Sequence, residues 1–319
     1  MQRTVFLTLL FCAAAAAADV DQARKEGEVV WYTAMNVPDA EVVRKPFNER
    51  YPFVRLTLLR STGEKVRTRI LTEAQAGRHT WDVVSFNLLD IDALNREGLL
   101  AEYRSPEAAS GYPAGSVDAR RAAIYVRQYV IGYNTRLVKD PPKSWADLLA
   151  PQWTGQLAID ESDVEWYAAM LDYWGRDKGT QFMRALARQK PQQRRGHSLL
   201  TRLLVAGDFP LALIHAGEIE KEKMDGAPVE WVKTLDPVIT SPSQVAIAAK
   251  APHPAAARLL VDFLLSKEGQ RLIESRGRVP ARTDLGSAAG RDLKVHYVAA
   301  RLAPEFEHYE REFRGIFGK

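Results

Sequence analysis

The sequence contains a single cysteine, Cys12, in a chain of 319 residues. Cys12 lies beside an apolar N-terminal run. If this run is removed from the chain, the remaining protein contains no cysteine and therefore no cysteine nucleophile. Such a chain suits an oxidising compartment without requiring one. Long apolar runs are also missing, since Val5–Phe11 is too short to span a membrane and no later segment is long enough.

Several motifs that would indicate catalysis or nucleic-acid binding are absent as well. The chain has no Gly-x-Ser-x-Gly elbow, no His-Glu-x-x-His pair and no phosphate loop. The formal net charge is only +4, and no Lys/Arg run is interleaved with aromatic residues, so nucleic acid is excluded as a partner. A structural or adhesive protein would need sequence repeats or a long exposed apolar pattern, and the sequence has neither. A secreted enzyme remains the alternative to a binding protein, because fold alone does not exclude catalysis.

The N-terminus has the organisation of a secretion signal. Arg3 supplies a positive charge, Val5–Phe11 an apolar segment, and Ala16-Ala17-Ala18 a small-residue cleavage site before Asp19. Bulky Phe11 makes Cys12 a poor lipid-attachment site. The sequence therefore predicts a signal peptide over residues 1–18 and a periplasmic mature protein, and the alternative is a buried first helix.

Short apolar strands alternate with segments of helical spacing along the first hundred mature residues. This order predicts a parallel sheet flanked by helices. Ala123–Thr135 then reads as a strand interrupted by Arg127 and Gln128, and it is either an ordinary central strand or a crossover that leaves one lobe and begins another. A second α/β unit follows, in which Ser162 or Asp163 and later Ser198 are expected to begin helices. Pro237–Thr240 is the expected return, and a long helix is expected over 292–317.

Seven segments together resemble extracellular solute-binding proteins of bacterial ABC importers, in the group that includes the ferric-iron binders. Each is weak alone, but their order and spacing are specific, and they run from the first strand almost to the C-terminus. They are EGEVVWYTA (26–34), TWDVV (80–84), VIGYNT (130–135), SWADLL (144–149), WTGQLAI (153–159), GDFPLALI (207–214) and SPSQVAIAAKAPHPAAARLLVDFLLSKEGQ (241–270).

The resemblance implies an α/β, two-lobe periplasmic-binding-protein-like fold of type 2, in which each lobe is a mainly parallel sheet flanked by helices. Two hinge crossovers would join a first lobe of residues 19–126 plus 238–319 to a second lobe of residues 127–237. It also implies a ligand in the cleft between the lobes and delivery to a permease and its ATPase at the inner membrane. The expected protein is a monomer, is not an enzyme and needs no cofactor.

Candidate ligand-binding residues follow the predicted strands, because ligands of open parallel sheets bind beyond the carboxyl ends of the strands. Helix N-termini at those positions favour an anion. The candidates in the first lobe are Thr33, Asn36, Ser61, Thr62, Ser85 and Asn87. Those in the second lobe are Glu161, Ser162, His197, Ser198, His215 and Glu218. The alternative is that each Ser or Thr merely caps a helix and that Arg195 and His197 belong to a solvated basic turn.

The choice of ligand depends on two tyrosines that are absent. The resemblance implies paired tyrosines after the strand LALIH (211–215) in the ferric-iron binders, and this chain has Gly217 and Glu218 there. It likewise has Asn36 where several such proteins place a histidine. The residues therefore favour a small organic anion bearing phosphate, phosphonate or carboxylate, possibly zwitterionic, with Glu161 or Glu218 accepting hydrogen bonds. No metal site is expected, and ferric iron is the alternative ligand.

Overall fold

A computed structural model describes residues 19–285 and 293–318. The predicted signal peptide, residues 1–18, lies outside the described residues. In the part of the chain that is described, no helix combines the length and apolar character needed to span a membrane.

The chain separates into two compact units. Among the described residues, the first unit comprises 19–125, 243–273 and 280–285, and the second comprises 126–242, 274–279 and 293–318. The chain changes unit at 125/126, 242/243, 273/274 and 279/280 and again after residue 285, and the first two of these positions lie near the crossovers expected from the sequence. The predicted assignment of all of 238–319 to the first lobe differs from this division at the C-terminus.

The strands and helices are numbered in chain order. The strands are β1 (Glu28–Thr33), β2 (Arg55–Arg60), β3 (Val83–Asn87), β4 (Ala122–Asn134), β5 (Leu157–Asp160), β6 (Gln192–Arg194), β7 (Leu211–His215), β8 (Val229–Trp231), β9 (Val238–Ile247), β10 (Val279–Pro280) and β11 (Val295–Tyr297). The helices are α1 (19–26), α2 (Val37–Arg50), α3 (Gly63–Gln75), α4 (Leu88–Arg96), α5 (Val164–Trp174), α6 (Arg176–Arg188), α7 (His197–Ala206), α8 (Ala216–Met224), α9 (Pro254–Leu265), α10 (Lys267–Glu274) and α11 (Phe306–Phe317).

The first unit is built on parallel strands. β1 lies between β2 and β3 and is parallel to both, as the β-α-β order predicts. The carboxyl-terminal half of β9 pairs antiparallel with β3. Below the sheet, Phe47 of α2 meets Phe263 of α9 edge-on, with 5.8 Å between ring centroids, and Trp31 of β1 is buried in the same core.

The second unit has a comparable arrangement. β5 is parallel to β6 and β7, and β4 pairs antiparallel with β7 and β8. The strands β4 and β9 each contain one of the positions at which the chain changes unit. Trp145 and Trp166 pack in the interior with 5.6 Å between ring centroids.

The C-terminal helix explains why the chain end belongs to the second unit. Phe306, Tyr309, Phe313 and Phe317 recur at helical spacing on α11 and are all buried. Phe313 meets Tyr167 of α5 at 5.9 Å between ring centroids. This apolar stripe is covered by α5 and α6, so the C-terminal segment is part of the second core.

Two predictions of local structure are wrong. The long helix expected over 292–317 is instead strand β11, a 3-10 helix Ala300–Glu305 and α11, because Pro304 lacks the N–H that a continuous α-helix would use. Ser198 does not cap α7. Gly196, at φ 99°, holds the cap position and His197 is the first helical residue, since glycine tolerates that left-handed region.

Candidate functional site

Three helix N-termini lie side by side at one edge of the first sheet. The carboxyl ends of β1, β2 and β3 coincide, with Thr33 paired to Arg60 on one side and to Ser85 on the other. Asn36, Thr62 and Asn87 occupy the cap positions of α2, α3 and α4. We call the six predicted residues here the first-unit edge: Thr33, Asn36, Ser61, Thr62, Ser85 and Asn87. Its oriented N–H groups and partial positive charges favour an anion.

Thr33 and Ser85 hold the strand ends of this edge in position. Their hydroxyl oxygens are 2.7 Å apart, and both residues are buried. Trp31 Nε1 donates to Ser85 Oγ at 2.9 Å, and the Met35 backbone N–H donates to Thr33 Oγ1 at 3.0 Å. These two hydroxyls already have partners, so they position the strand ends and are not free to bind a ligand.

The two asparagines also have structural partners. Asn36 Oδ1 accepts from the Asp39 N–H at 3.0 Å, and Asn87 Oδ1 accepts from the Asp90 N–H at 2.7 Å. The Asn87 side-chain amide donates to Asp90 Oδ2 at 2.6 Å. Thr62 differs, because its side chain makes no capping bond to α3. Of the first-unit residues, the half-buried Ser61 and Thr62 are therefore the best placed to bind a solute.

In the second unit, the loop after β5 is organised by Asp160. The Ser162 hydroxyl donates to Asp160 Oδ1 at 2.7 Å, and the Gly196 N–H donates to Asp160 Oδ2 at 2.6 Å. Ser162 thereby supports the loop that leads into α5. Glu161 is exposed and lies 3.4 Å from exposed Arg195, an ion pair that contributes little to stability.

His197 and His215 form a stacked imidazole pair. Their ring centroids are 3.8 Å apart, with 36° between the ring planes. His215 ends β7 and caps α8, while His197 begins α7. Tyr129 of β4 packs edge-on against His215, with 4.8 Å between ring centroids. Asp163, the cap residue of α5, lies 2.9 Å from His197 Nε2.

The two imidazoles are driven to different protonation states. Burial alone would lower the pKa of His197, but the adjacent Asp163 carboxylate outweighs it and raises that pKa to about 9. Burial, together with the positive charge of His197, holds the pKa of His215 well below its usual range. At neutral pH the pair is thus one imidazolium and one neutral imidazole. Burial also raises the pKa of Tyr129 well above its usual range, so this phenol stays protonated.

Gly217 and Glu218, at the positions where the resemblance implies tyrosines in ferric-iron binders, are tightly constrained. Glu218 Oε1 lies 3.7 Å from Arg278, and both side chains are mostly buried. A Cβ atom on Gly217 would lie 2.8 Å from the backbone oxygen of Gly277, so a tyrosine at this position would require the backbone to move. Ser198, the remaining candidate, lies half-buried in the first turn of α7.

A further charged cluster was missed by the sequence reasoning. Arg127 of β4 donates to Glu165 Oε2 at 2.7 Å and to Ser241 Oγ at 2.8 Å, and Ser241 Oγ donates to the same carboxylate oxygen at 2.7 Å. Glu165 and Ser241 are buried. The available signal was Arg127 itself, a charge within an otherwise apolar strand, but the sequence did not indicate its partners.

The side chains of His, Cys, Asp and Glu are common metal ligands in proteins. Across residues 19–285 and 293–318, no three His, Cys, Asp or Glu side chains form a group that could hold a metal ion.

Residues 90–308 match a family model described as bacterial extracellular solute-binding protein. The chain belongs to this family. The predicted family is confirmed, and with it the function of a solute-binding protein. This family works with the permease and ATPase of ABC importers and comprises binding proteins.

Two relatives show how far the similarity of this solute-binding protein extends. It is 28% identical over 271 residues to an uncharacterized protein of Haemophilus influenzae, covering 80% of this chain and 78% of that one. It is 26% identical over 223 residues to a Salmonella paratyphi A protein with the provisional name 2-aminoethylphosphonate-binding periplasmic protein, covering 66% of this chain and 63% of that one.

Solved structures confirm the predicted fold class. Periplasmic binding protein AfuA from Actinobacillus pleuropneumoniae, with fructose-6-phosphate bound, has a TM-score of 0.82 at 21% identity, covering 91% of this chain and 98% of that one. Iron-bound HitA from Pseudomonas aeruginosa has a TM-score of 0.78 at 19% identity, covering 90% of this chain and 99% of that one. Because these proteins carry such different ligands, the shared fold does not indicate the solute.

Proposed function

We propose that this solute-binding protein captures a small organic anion bearing a phosphate, phosphonate or carboxylate group and delivers it to the permease and ATPase of an ABC importer. The observation that carries the proposal is the first-unit edge, where the N-termini of α2, α3 and α4 lie together. Unsatisfied N–H groups and aligned helix dipoles bind oxyanions without any metal ion. The uncapped Thr62 hydroxyl adds a donor at the same edge.

The relatives support this ligand class without deciding among its members. The name of the Salmonella protein refers to an aminophosphonate, and AfuA was solved with a sugar phosphate. Both are small organic anions with a tetrahedral phosphorus group. The proposal makes the protein a monomeric binder that performs no catalysis.

Ferric iron remains the second candidate because iron-bound HitA shares the fold. The chain's own residues oppose it. Gly217 provides no side-chain donor, the carboxylate of Glu218 is paired with Arg278, and the Tyr129 phenol is held in its protonated form. A hard cation needs several deprotonated oxygens that are free to coordinate.

A thermal-shift screen tests the proposed ligand class. Ferric iron and its chelates should be compared with phosphonates, sugar phosphates and carboxylates, because a ligand that binds only the native state raises the melting temperature. We expect a rise of several degrees with one or more of the organic anions and none with ferric iron. Stabilisation by iron alone would overturn the proposal.

Thr62→Ala tests the first-unit edge directly. Loss of one hydrogen bond to a charged group should weaken the binding of the best anion from the screen about 10-fold or more, measured by isothermal titration calorimetry. Thr68→Ala is the matched control, because Thr68 lies on the same helix and its hydroxyl bonds to the Glu64 carbonyl oxygen. Equal affinities of the two variants would place the anion elsewhere.

Export to the periplasm is part of the proposal. Arg3, the apolar run and the three alanines before Asp19 indicate cleavage there. Mass spectrometry of protein from the periplasmic fraction should give a mature N-terminus at or near Asp19. Recovery of the exported protein with Met1 still attached would contradict this prediction.

A further inference from the structure

The stacked imidazoles in the second unit each present a buried nitrogen that the protein leaves unsatisfied. His197 Nδ1 and His215 Nε2 have no hydrogen-bond partner among the residues that the structure describes. His215 is only 7% exposed, and the side chain of His197 only 14%. A buried polar group without a partner costs about 1–3 kcal/mol. Two such nitrogens on touching rings therefore indicate that a ligand atom supplies the missing bonds.

The chemistry of the two nitrogens differs. The other nitrogen of His197 is bound to Asp163, and this partner keeps the ring protonated, so its Nδ1 is a hydrogen-bond donor. His215 is neutral, so its Nε2 can accept a hydrogen bond when the proton resides on Nδ1. The pair can thus offer one donor and one acceptor. A hydroxyl group, which both donates and accepts, satisfies both nitrogens at once, whereas an ammonium group or a metal cation cannot accept from His197.

The surrounding charges do not favour a second anion site here. His197 is paired with Asp163 at 2.9 Å and Arg127 with Glu165 at 2.7 Å. Arg278 lies 3.7 Å from Glu218. Asp160, whose carboxylate accepts from Ser162 and Gly196, adds a further negative charge. Arg194, whose backbone pairs with that of Asp160 across β5 and β6, balances this charge, so a doubly charged phosphoryl group would meet no net positive charge from these side chains.

We infer that His197 and His215 bind a hydroxyl oxygen of the solute, which makes the solute a hydroxylated organic anion of the sugar-phosphate or polyol-phosphate class. This inference rests on the proposed function and narrows it. The imidazole pair contacts an uncharged hydroxylated part of the solute and not its anionic group.

Matched ligands separate this inference from the proposed function. Glucose 6-phosphate, fructose 6-phosphate, ribose 5-phosphate and glycerol 3-phosphate carry hydroxyls, whereas hexyl phosphate and 2-aminoethylphosphonate do not. Isothermal titration of the wild-type protein should show at least one hydroxylated phosphate binding about 10-fold or more tightly than hexyl phosphate, as one charge-assisted hydrogen bond provides. His215→Phe keeps an aromatic ring in the stack and leaves the His197 donor in place, so it should reduce that preference several-fold, as the loss of one hydrogen bond to a neutral group predicts.

Nitrogen chemical shifts of the two imidazoles give a second readout on the unaltered protein. Addition of the preferred hydroxylated phosphate should shift both His197 Nδ1 and His215 Nε2, whereas inorganic phosphate should shift neither. If hexyl phosphate or 2-aminoethylphosphonate binds as tightly as every hydroxylated ligand, the inference is wrong and the proposed organic-anion function stands. If inorganic phosphate shifts both nitrogens, the pair is an anion subsite. If ferric iron binds and no organic anion does, both proposals are wrong.

Discussion

Replacing Gln270 with leucine should destabilise the first unit by about 4 kcal/mol or more. Gln270 is completely buried, and its amide nitrogen donates to the Ile124 and Leu264 carbonyl oxygens, each at 2.8 Å. Its Oε1 accepts from the Ala281 and Arg282 backbone N–H groups at 2.9 and 3.2 Å. Leucine fills a similar volume but removes all four of these hydrogen bonds, and each buried backbone group left without a partner costs about 1–3 kcal/mol before the backbone relaxes.

Urea denaturation of the ligand-free protein measures this loss as a fall in the transition midpoint of the first unit. Gln75→Leu is the control, since Gln75 is an exposed glutamine at the end of α3 in the same unit. That substitution should change the free energy of unfolding by no more than about 0.5 kcal/mol. Equal midpoints for the two variants would show that the backbone groups around residue 270 find other partners.

Glu165→Leu should cost about 3–5 kcal/mol of stability in the second unit. Glu165 holds Arg127 and Ser241 through bonds of 2.7 Å, and its side chain is only 3% exposed. Removing one member of a buried ion pair leaves the remaining charge in a poorly solvated site, and that penalty exceeds the value of the pair itself.

Two further variants separate the desolvation penalty from a loss of packing. The double variant Arg127→Leu with Glu165→Leu removes both charges and should recover most of the stability lost by the single change. Glu161→Leu breaks the exposed pair with Arg195 and should cost no more than about 1 kcal/mol. A double variant that is as unstable as the single one would contradict the ion-pair explanation.

The parallel frame of the first unit follows directly from the sequence because its signals are local. β1, β2 and β3 are short apolar runs, and each is followed by a capping residue and a helical repeat. The C-terminal segment was harder to assign. The stripe of Phe306, Tyr309, Phe313 and Phe317 predicts a helix, but the sequence does not show that its apolar face packs on α5. Which hydrophobic core covers such an apolar stripe depends on residues that are distant in sequence.

The sequence predicts which residue types lie at the candidate site better than it predicts what each residue does there. His197 and His215, which are 18 positions apart, were both chosen from their positions at strand ends and helix starts, and the structure stacks them. Thr33 and Ser85 fitted the same rule, yet they bond to each other. The rule selects polar residues at strand ends, but whether a hydroxyl is already satisfied depends on neighbours such as Trp31. Arg127 was passed over because Glu165 and Ser241 are distant in sequence.

We propose that the protein binds an organic anion and not a ferric ion. The most direct test is to strip the mature protein of ligand, incubate it with a low-molecular-weight metabolite extract, desalt it, and measure the bound species by native mass spectrometry together with elemental analysis of phosphorus and iron. We expect one organic anion per protein molecule, phosphorus in equal amount if the ligand is a phosphate or phosphonate, and no iron. One equivalent of bound iron, with a phenolate charge-transfer band in the visible spectrum and no organic anion, would contradict it.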